Sequence, residues 1–249
     1  ATSEGVYKSQ DEGSTWQAVS TGLTITGIFT LFQDSQDGTL YAQASNGFFR
    51  SQDGGNSWQA TGAGITAPVT TMLQDNRDDT IYAGVYYLGI YRSKDGGNSW
   101  QLANIGLPQP YLTVFSLLQD NQNGTLYAGT IYGFFKSQDG GSSWQFASAG
   151  LPNQQINALL QDSQNGTLYA GTNYGFFKSQ NGGSWQSANA GLLDLHVNAL
   201  LQDSQDGTLY VGTSGGLFRS QDRGNTWQTA NSGLVDTNIN TLLEDSQDG

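Results

Sequence analysis

One short motif, SQDGGNSW at residues 51–58, recurs along the whole chain and constrains its fold more than any other feature. Near copies begin at Ser9, Ser93, Ser137 and Ser220, and a copy shortened by one residue begins at Ser179. The motif tryptophans are 41 to 44 residues apart, at Trp16, Trp58, Trp100, Trp144, Trp185 and Trp227. A regular period of this length is typical of proteins built from repeated supersecondary units.

Each repeat contains four segments with the pattern of short β-strands. Between Ile156 and Leu192 they read INALLQD, TLYAGT, GFFKS and SWQSA, and the Asn-Gly pair between the first two favours a tight hairpin. No segment keeps a helical period for long. Four strands per repeat, six times over, predict an all-β six-bladed β-propeller of four-stranded antiparallel blades in a single domain, 1–249. A closed ring is favoured over an open stack because closure removes exposed strand edges.

The two ends of the chain complement each other. LLEDSQDG at the C-terminus resembles the start of a repeat, and ATSEGVYKS at the N-terminus resembles its continuation. We therefore expect the C-terminal strand to close the ring by pairing with the N-terminal strands. This blade lacks most of its second strand, so its open edge offers a place for pairing with another chain, although a monomer is expected.

Composition and charge exclude several classes of partner. The chain has no cysteine and one histidine, which leaves no basis for a disulfide framework or a zinc site. No apolar run is long enough to cross a membrane. The 21 acidic and 9 basic residues give a net charge of −12, which opposes binding to nucleic acid and to anionic membranes. We expect an extracellular or periplasmic protein.

The pattern Ser-x-Asp-x-Gly-x-Ser/Thr-Trp resembles the Asp-box, or BNR repeat. That repeat recurs in sialidases, other glycoside hydrolases, sortilin-type receptors and photosystem II assembly factors. Five copies match every signature position, and the fifth copy along the chain departs, with Asn181 in place of Asp and a deletion before Trp185. The resemblance implies the propeller fold and says little about function, because Asp-box proteins differ widely in activity.

The residue chemistry of the motif indicates a structural role. A short Asp in a turn accepts hydrogen bonds from nearby backbone N–H groups, and glycine supplies positive φ. The tryptophans are expected to be buried, and the basic residue before each motif is expected to serve the turn or the tryptophan locally. The proposed structural residues are Asp11, Trp16, Asp53, Trp58, Asp95, Trp100, Asp139, Trp144, Asn181, Trp185, Asp222 and Trp227.

Loops on the face opposite the motif vary from repeat to repeat, and variable loops on a fixed scaffold are where binding sites are usually built. Their tyrosines and amides suit a sugar ring or a peptide. The alternative is that the asparagines cap strand ends and the tyrosines pack between blades. The candidate ligand-binding residues are Tyr86, Tyr87, Tyr111, Tyr132, Asn173, Tyr174, Asp194, His196 and Asp236.

Catalysis has little support in the sequence. The sialidase resemblance implies an arginine triad, but three of the five arginines precede motif copies and the other two, Arg77 and Arg223, lie in acidic loops. Asp194 and Asp236 are the only plausible pair of carboxylates for another glycosidase, with His196 as a helper. No cofactor is expected. The DSQDG loops could hold an adventitious calcium ion, but solvated hairpins are favoured there.

Three hypotheses follow. The preferred one is a non-catalytic binding propeller that takes a glycan or a protein ligand. The second is a glycoside hydrolase or lyase that uses Asp194 and Asp236. The third is a repeat scaffold, natural or engineered, with no ligand of its own.

Overall fold

A computed structural model describes residues 2, 4–11, 13–23, 27–34, 37–44, 47–152 and 155–244. Their regular secondary structure is β-strand throughout. They group into two compact units, residues 1–104 and residues 105–249. Within the described residues no helix is long and apolar enough to cross a membrane.

The first unit contains a two-stranded sheet and two four-stranded sheets, all antiparallel. The two-stranded sheet pairs β1 (Tyr7–Lys8) with β2 (Gln17–Ala18). The next sheet comprises β3 (Ile28–Gln33), β4 (Leu40–Ala44), β5 (Gly47–Ser51) and β6 (Gln59–Thr61). The third comprises β7 (Val69–Gln74), β8 (Ile81–Val85), β9 (Gly89–Ser93) and β10 (Gln101–Leu102).

The second unit contains three four-stranded antiparallel sheets. The first comprises β11 (Val114–Gln119), β12 (Leu126–Thr130), β13 (Gly133–Ser137) and β14 (Gln145–Phe146). The second comprises β15 (Ile156–Gln161), β16 (Leu168–Thr172), β17 (Gly175–Ser179) and β18 (Gln186–Ser187). The third comprises β19 (Val197–Gln202), β20 (Leu209–Thr213), β21 (Gly216–Ser220) and β22 (Gln228–Thr229).

The predicted fold class is confirmed: the chain is all-β, and its repeats form propeller blades. Strands follow one another in sheet order, as they do when tight hairpins connect neighbours. The second strand of a blade, such as Leu168–Thr172, is buried along its whole length because sheets cover both of its faces. The prediction of a single domain stays a prediction, since the contacts divide the described chain into two units.

Aromatic side chains form the core between successive sheets of the second unit. Phe176 lies against Trp227 of the next repeat, with ring centroids 4.8 Å apart and an interplanar angle of 73°. Tyr169 and Leu209 belong to the same cluster. Phe134 and Trp185 meet in the same way one repeat earlier, at 4.9 Å and 76°. Edge-to-face pairs of this kind stabilise a core beyond the area they bury.

Residues 239–244 occupy the place of a further inner strand beside β19. The N–H of Ile239 donates to the Thr213 carbonyl (2.9 Å), and the Ser204 N–H donates to Glu244 Oε1 (2.6 Å). Gln202 accepts the Ser163 N–H in the equivalent way (2.9 Å). This agrees with the predicted role of the C-terminal segment as an inner strand. Its pairing with the N-terminal strands stays a prediction, and residues 1 and 245–249 lie outside the described residues.

Candidate functional site

The repeated Ser-x-Asp turn is a closed network of local hydrogen bonds. In the second copy Ser51 Oγ donates to Asp53 Oδ1 (2.7 Å), and the Ser57 N–H and Oγ donate to the two carboxylate oxygens (2.9 and 2.6 Å). The Gly55 N–H donates back to Ser51 Oγ (2.9 Å), at φ +91°. In the shortened copy Asn181 Oδ1 accepts the Gly183 N–H instead (3.0 Å). The polar groups that recur in the motif therefore form hydrogen bonds with one another inside the turn.

This network lowers the pKa of the motif carboxylates. Hydrogen bonds from the serine or threonine four residues on lower the pKa of the motif Asp from its ordinary value of 3.8 to about 2, at Asp53, Asp95, Asp139 and Asp222. A carboxylate with a lower pKa in the folded state stabilises the fold above its unfolded pKa and loses that contribution as pH falls toward the folded value.

We expect the melting temperature to fall steeply between pH 4 and about pH 2, because the motif carboxylates protonate there. Asp139→Asn should melt lower at neutral pH and show a shallower decline over the same window. Differential scanning calorimetry of the two proteins across this pH range measures both slopes. If the melting temperatures of wild type and variant decline in parallel as the pH falls, the hydrogen bonds of Asp139 do not contribute to the pH dependence of stability.

Each buried tryptophan is covered by the segment that ends the preceding repeat. The backbone N–H of Trp58 donates to the Thr21 carbonyl (2.8 Å), and that of Trp227 donates to the Ala190 carbonyl (2.8 Å). Five tryptophans are at most 5% exposed, but Trp16 is 63% exposed. The expectation that all six are buried is wrong for Trp16. The other five tryptophans each donate their backbone N–H to a carbonyl of the preceding repeat, and among the described residues of its unit Trp16 has no such partner.

Three of the basic residues that precede the motifs reach the next repeat rather than their own turn. Lys8 Nζ donates to the Gly54 carbonyl (3.4 Å), and Arg50 Nη1 donates to the Gly96 carbonyl (3.3 Å). Lys178 donates to Asn225 in the same manner. The prediction of a local partner is therefore corrected: these side chains tie one sheet to the motif turn of the sheet that follows.

The loop between the first and second strands of each blade is not simply a solvated hairpin. Its leading Asp is buried at Asp34, Asp75, Asp120 and Asp162. Asp162 accepts the Gln164 N–H at Oδ1 (2.9 Å) and the Tyr169 hydroxyl at Oδ2 (3.0 Å). Burial raises the pKa of Asp162, but these hydrogen bonds outweigh it and the net pKa is lowered. Sequence reasoning missed this because the loops look uniformly polar.

The candidate tyrosines of the first unit form one exposed stacked pair. Tyr86 and Tyr87 lie in the turn between β8 and β9, with ring centroids 4.0 Å apart and an interplanar angle of 26°. The two residues are 41% and 47% exposed. Tyr87 has φ +61°, an uncommon conformation for a bulky residue. Strained exposed aromatics of this kind occur at ligand-binding positions more often than elsewhere.

In the second unit, Tyr132 lies in the turn between β12 and β13 and borders an open apolar groove of about 520 Å³. Its hydroxyl donates to the Pro110 carbonyl (3.3 Å), next to the exposed Tyr111 at φ +67°. Sequence reasoning missed the other walls of this groove, which are Leu107, Pro108, Phe135 and Phe146. A signal was present: Phe146 replaces the Ala, Leu, Ser or Thr of other repeats and is 57% exposed.

The candidate amide Asn173 and the asparagines near the start of two inner strands are held by structural contacts. Asn157 Nδ2 donates to Asn173 Oδ1 (2.9 Å) and to the Val197 carbonyl of the next inner strand (2.8 Å). Asn198 makes the equivalent bond to the Ile239 carbonyl (3.1 Å). Asn157 and Asn198 therefore link successive inner strands. Tyr174 stands beside Asn173 with its ring exposed.

The acidic candidates lie in exposed local turns. Asp194 Oδ1 accepts the N–H of His196 (2.9 Å), and Asp236 Oδ1 accepts the N–H of Asn238 (2.9 Å). Each carboxylate thus forms a turn with its own backbone two residues on. Within the described ranges, no group of three or more His, Asp or Glu side chains could hold a metal ion.

Comparison with known proteins supports a β-propeller repeat protein. A family model described as two component regulator propeller matches residues 150–174, a stretch that contains β15 and β16. No curated protein matches the chain.

Solved structures resemble the chain along most of its length. The GH74 xyloglucanase from Xanthomonas campestris is 17% identical, with a TM-score of 0.81, over 100% of this chain and 47% of that one. The extracellular domain of a putative hybrid two component system from B. thetaiotaomicron is 17% identical, with a TM-score of 0.61, over 90% and 36%. A structure of YCF48 bound to D1 peptide is 19% identical, with a TM-score of 0.69, over 97% and 80%.

At these identities the similarity shows the fold alone. The chain spans 32% to 47% of the length of the GH74 structures that it matches. The set includes enzymes, sensor domains and YCF48, so it leaves the activity of this chain open.

Proposed function

We propose that this chain is a non-catalytic binding domain that recognises carbohydrate through the loops opposite the Ser-x-Asp turns. The observation that carries the proposal is the open groove at Tyr132, whose walls include Phe146 and Pro108. Exposed Tyr111 lies next to Pro110, whose carbonyl accepts the Tyr132 hydroxyl. Tyr174 and the Tyr86–Tyr87 pair add exposed aromatic faces in equivalent turns of other repeats.

Aromatic faces beside amide groups have the chemistry that a pyranose requires. The apolar C–H face of a sugar packs on an aromatic ring, while its hydroxyls bond to nearby amides and carbonyls. The net charge of −12 disfavours anionic ligands, nucleic acid and anionic membranes. A protein loop with exposed aromatic residues is the other ligand class that this surface suits.

In the same proposal the six repeated turns are Asp-boxes with a structural role. The carboxylates are engaged by their own turns, and five of the tryptophans are buried. An extracellular or periplasmic location is proposed as well, in line with the extracellular domains among the similar structures. A monomer is proposed, without a cofactor.

Hydrolysis or lyase chemistry through Asp194 and Asp236 is the weaker alternative, because both carboxylates already serve as turn acceptors. The change Asp194→Asn together with Asp236→Asn tests it. Lost turnover of a glycan substrate would support catalysis, and unchanged turnover would remove these residues from it. A bare scaffold is the third alternative.

A glycan-array screen, run with calcium and again with EDTA, tests the proposed function. We expect hits that persist in EDTA and that are lost when Tyr132, Tyr174 and Asn173 are changed to alanine. Loss of the hits in EDTA would move the site to the acidic loops. The absence of any hit on the array would contradict carbohydrate binding by these loops and favour a protein ligand or a bare scaffold.

A further inference from the structure

One position on the second strand of the blades differs sharply between repeats. Four blades carry glycine there, and three of them continue with threonine. The pairs are Gly84-Val85, Gly129-Thr130, Gly171-Thr172 and Gly212-Thr213. The blade formed by β3 to β6 carries Gln43-Ala44 instead.

Glycine at this position lets the next inner strand approach closely. A Cβ added to Gly129 would lie 2.8 Å from Cγ2 of Ile156, the first residue of β15. A Cβ added to Gly171 or Gly212 would lie still closer to the side chains of Val197 and Ile239. Any side chain at this position must therefore push the following sheet away.

Gln43 fills this place with a long amide that is 5% exposed. Its Nε2 donates to the carbonyls of Ala44 and Gly47, and its Oε1 accepts the Val69 N–H (3.2 Å). The bond to Gly47 replaces the one that threonine makes in other blades, as from Thr172 Oγ1 to the Gly175 carbonyl (3.0 Å). The two substitutions are therefore coupled, since the amide supplies the donor that Ala44 lacks.

The same substitution accompanies a cavity between two sheets of the first unit. Strands β3 and β7 pack less closely than β11 with β15 or β15 with β19. A cavity of about 300 Å³ lies beside Gln43, with Phe48, Ile65, Thr66 and Pro68 among its walls. This volume is at the lower end of the range for small-molecule sites, about 300–1,000 Å³. It has room for one small ring.

We propose that this cleft, the Gln43 cleft, binds a single neutral pyranose unit. The inference deepens the proposed carbohydrate function and rests on it. No charged side chain is among the lining residues of the described chain, so a neutral ligand fits best. Gln43 Oε1 can accept a second hydrogen bond, and the Thr66 hydroxyl can donate or accept one. Ile65 and Pro68 offer an apolar wall for the C–H face of the ring.

The matched test is the double variant Gln43→Gly with Ala44→Thr, which restores the sequence of three other blades. The probes are methyl glycosides of glucose, galactose, mannose, xylose and fucose, titrated into ¹⁵N-labelled protein. We expect at least one glycoside to shift the Gln43 side-chain amide resonance in the wild type. The double variant should stay folded but melt lower than the wild type, because the buried Val69 N–H loses its Gln43 acceptor, and its affinity for that glycoside should drop at least tenfold.

The outcomes separate this cleft from the proposed function. Equal affinity of the double variant and the wild type for the glycoside, or no shift of the Gln43 amide resonance with any glycoside, would overturn the proposal that the Gln43 cleft binds a pyranose. Array hits that depend on Tyr132 and Tyr174 but survive the double variant would leave the proposed function standing and overturn the cleft. A shift of the Gln43 amide, with an array that is otherwise silent, would support the cleft and contradict the tyrosine-bearing surface.

Discussion

Changing Trp227 to alanine is expected to lower the free energy of unfolding by about 3–5 kcal/mol, one of the largest effects of any single substitution in this chain. The ring packs edge to face on Phe176, and the indole Nε1 donates to the Ala188 carbonyl (2.9 Å). Alanine removes both contacts and leaves a cavity between two sheets. Urea unfolding followed by tryptophan fluorescence and circular dichroism measures the loss.

Trp16 provides the matched control for this experiment. It occupies the same motif position, but its ring is 63% exposed, so Trp16→Ala should cost far less than Trp227→Ala. Equal losses for the two variants would contradict the account, because burial between successive sheets would then not be what the motif tryptophan contributes.

Changing Gly191 to alanine is expected to cost about 2–5 kcal/mol, although it adds only one methyl group. Gly191 has φ +92°, and a left-handed conformation costs a non-glycine residue roughly 1–2 kcal/mol. The new Cβ would also overlap the Trp227 carbonyl oxygen, and overpacking of this kind costs about 1–3 kcal/mol. The same urea titration measures the effect.

Gly233 separates the two contributions. It holds the equivalent position in the next repeat at φ +86°, and none of the described atoms lies within 4 Å of a Cβ added there. Gly233→Ala should therefore cost only the conformational part, about 1–2 kcal/mol. A loss as large as that of Gly191→Ala would show that the steric contact with Trp227 is not the cause.

The sequence predicted the strands and turns well because they depend on local chemistry. Short apolar segments such as Leu168–Thr172 and the Asn-Gly and Gly-Gly turns act within a few residues. Six copies of the same pattern then specify six similar units. The fold class follows from these units without any knowledge of distant contacts.

Features that depend on the neighbouring repeat could not be predicted in this way. Trp16 and Trp227 share a motif, yet only Trp227 is covered, because coverage comes from another repeat. Asp162 looks like a solvated loop residue, yet it is buried against Tyr169. The Gln43 cleft depends on the separation of two sheets, which no single repeat encodes. In the sequence, the cleft is signalled only by Gln43-Ala44, at the position where three other blades carry Gly-Thr.

The most direct test of the central claim compares glycan-array profiles of three proteins. The claim is that the repeated turns are structural and that binding belongs to the opposite loops. We expect wild type and Asp139→Asn to bind the same glycans at neutral pH, and the double variant Tyr132→Ala with Tyr174→Ala to lose them. Glycan binding that is lost in Asp139→Asn and kept in the tyrosine variant would contradict the claim. The absence of any glycan binding by the wild type would contradict it as well.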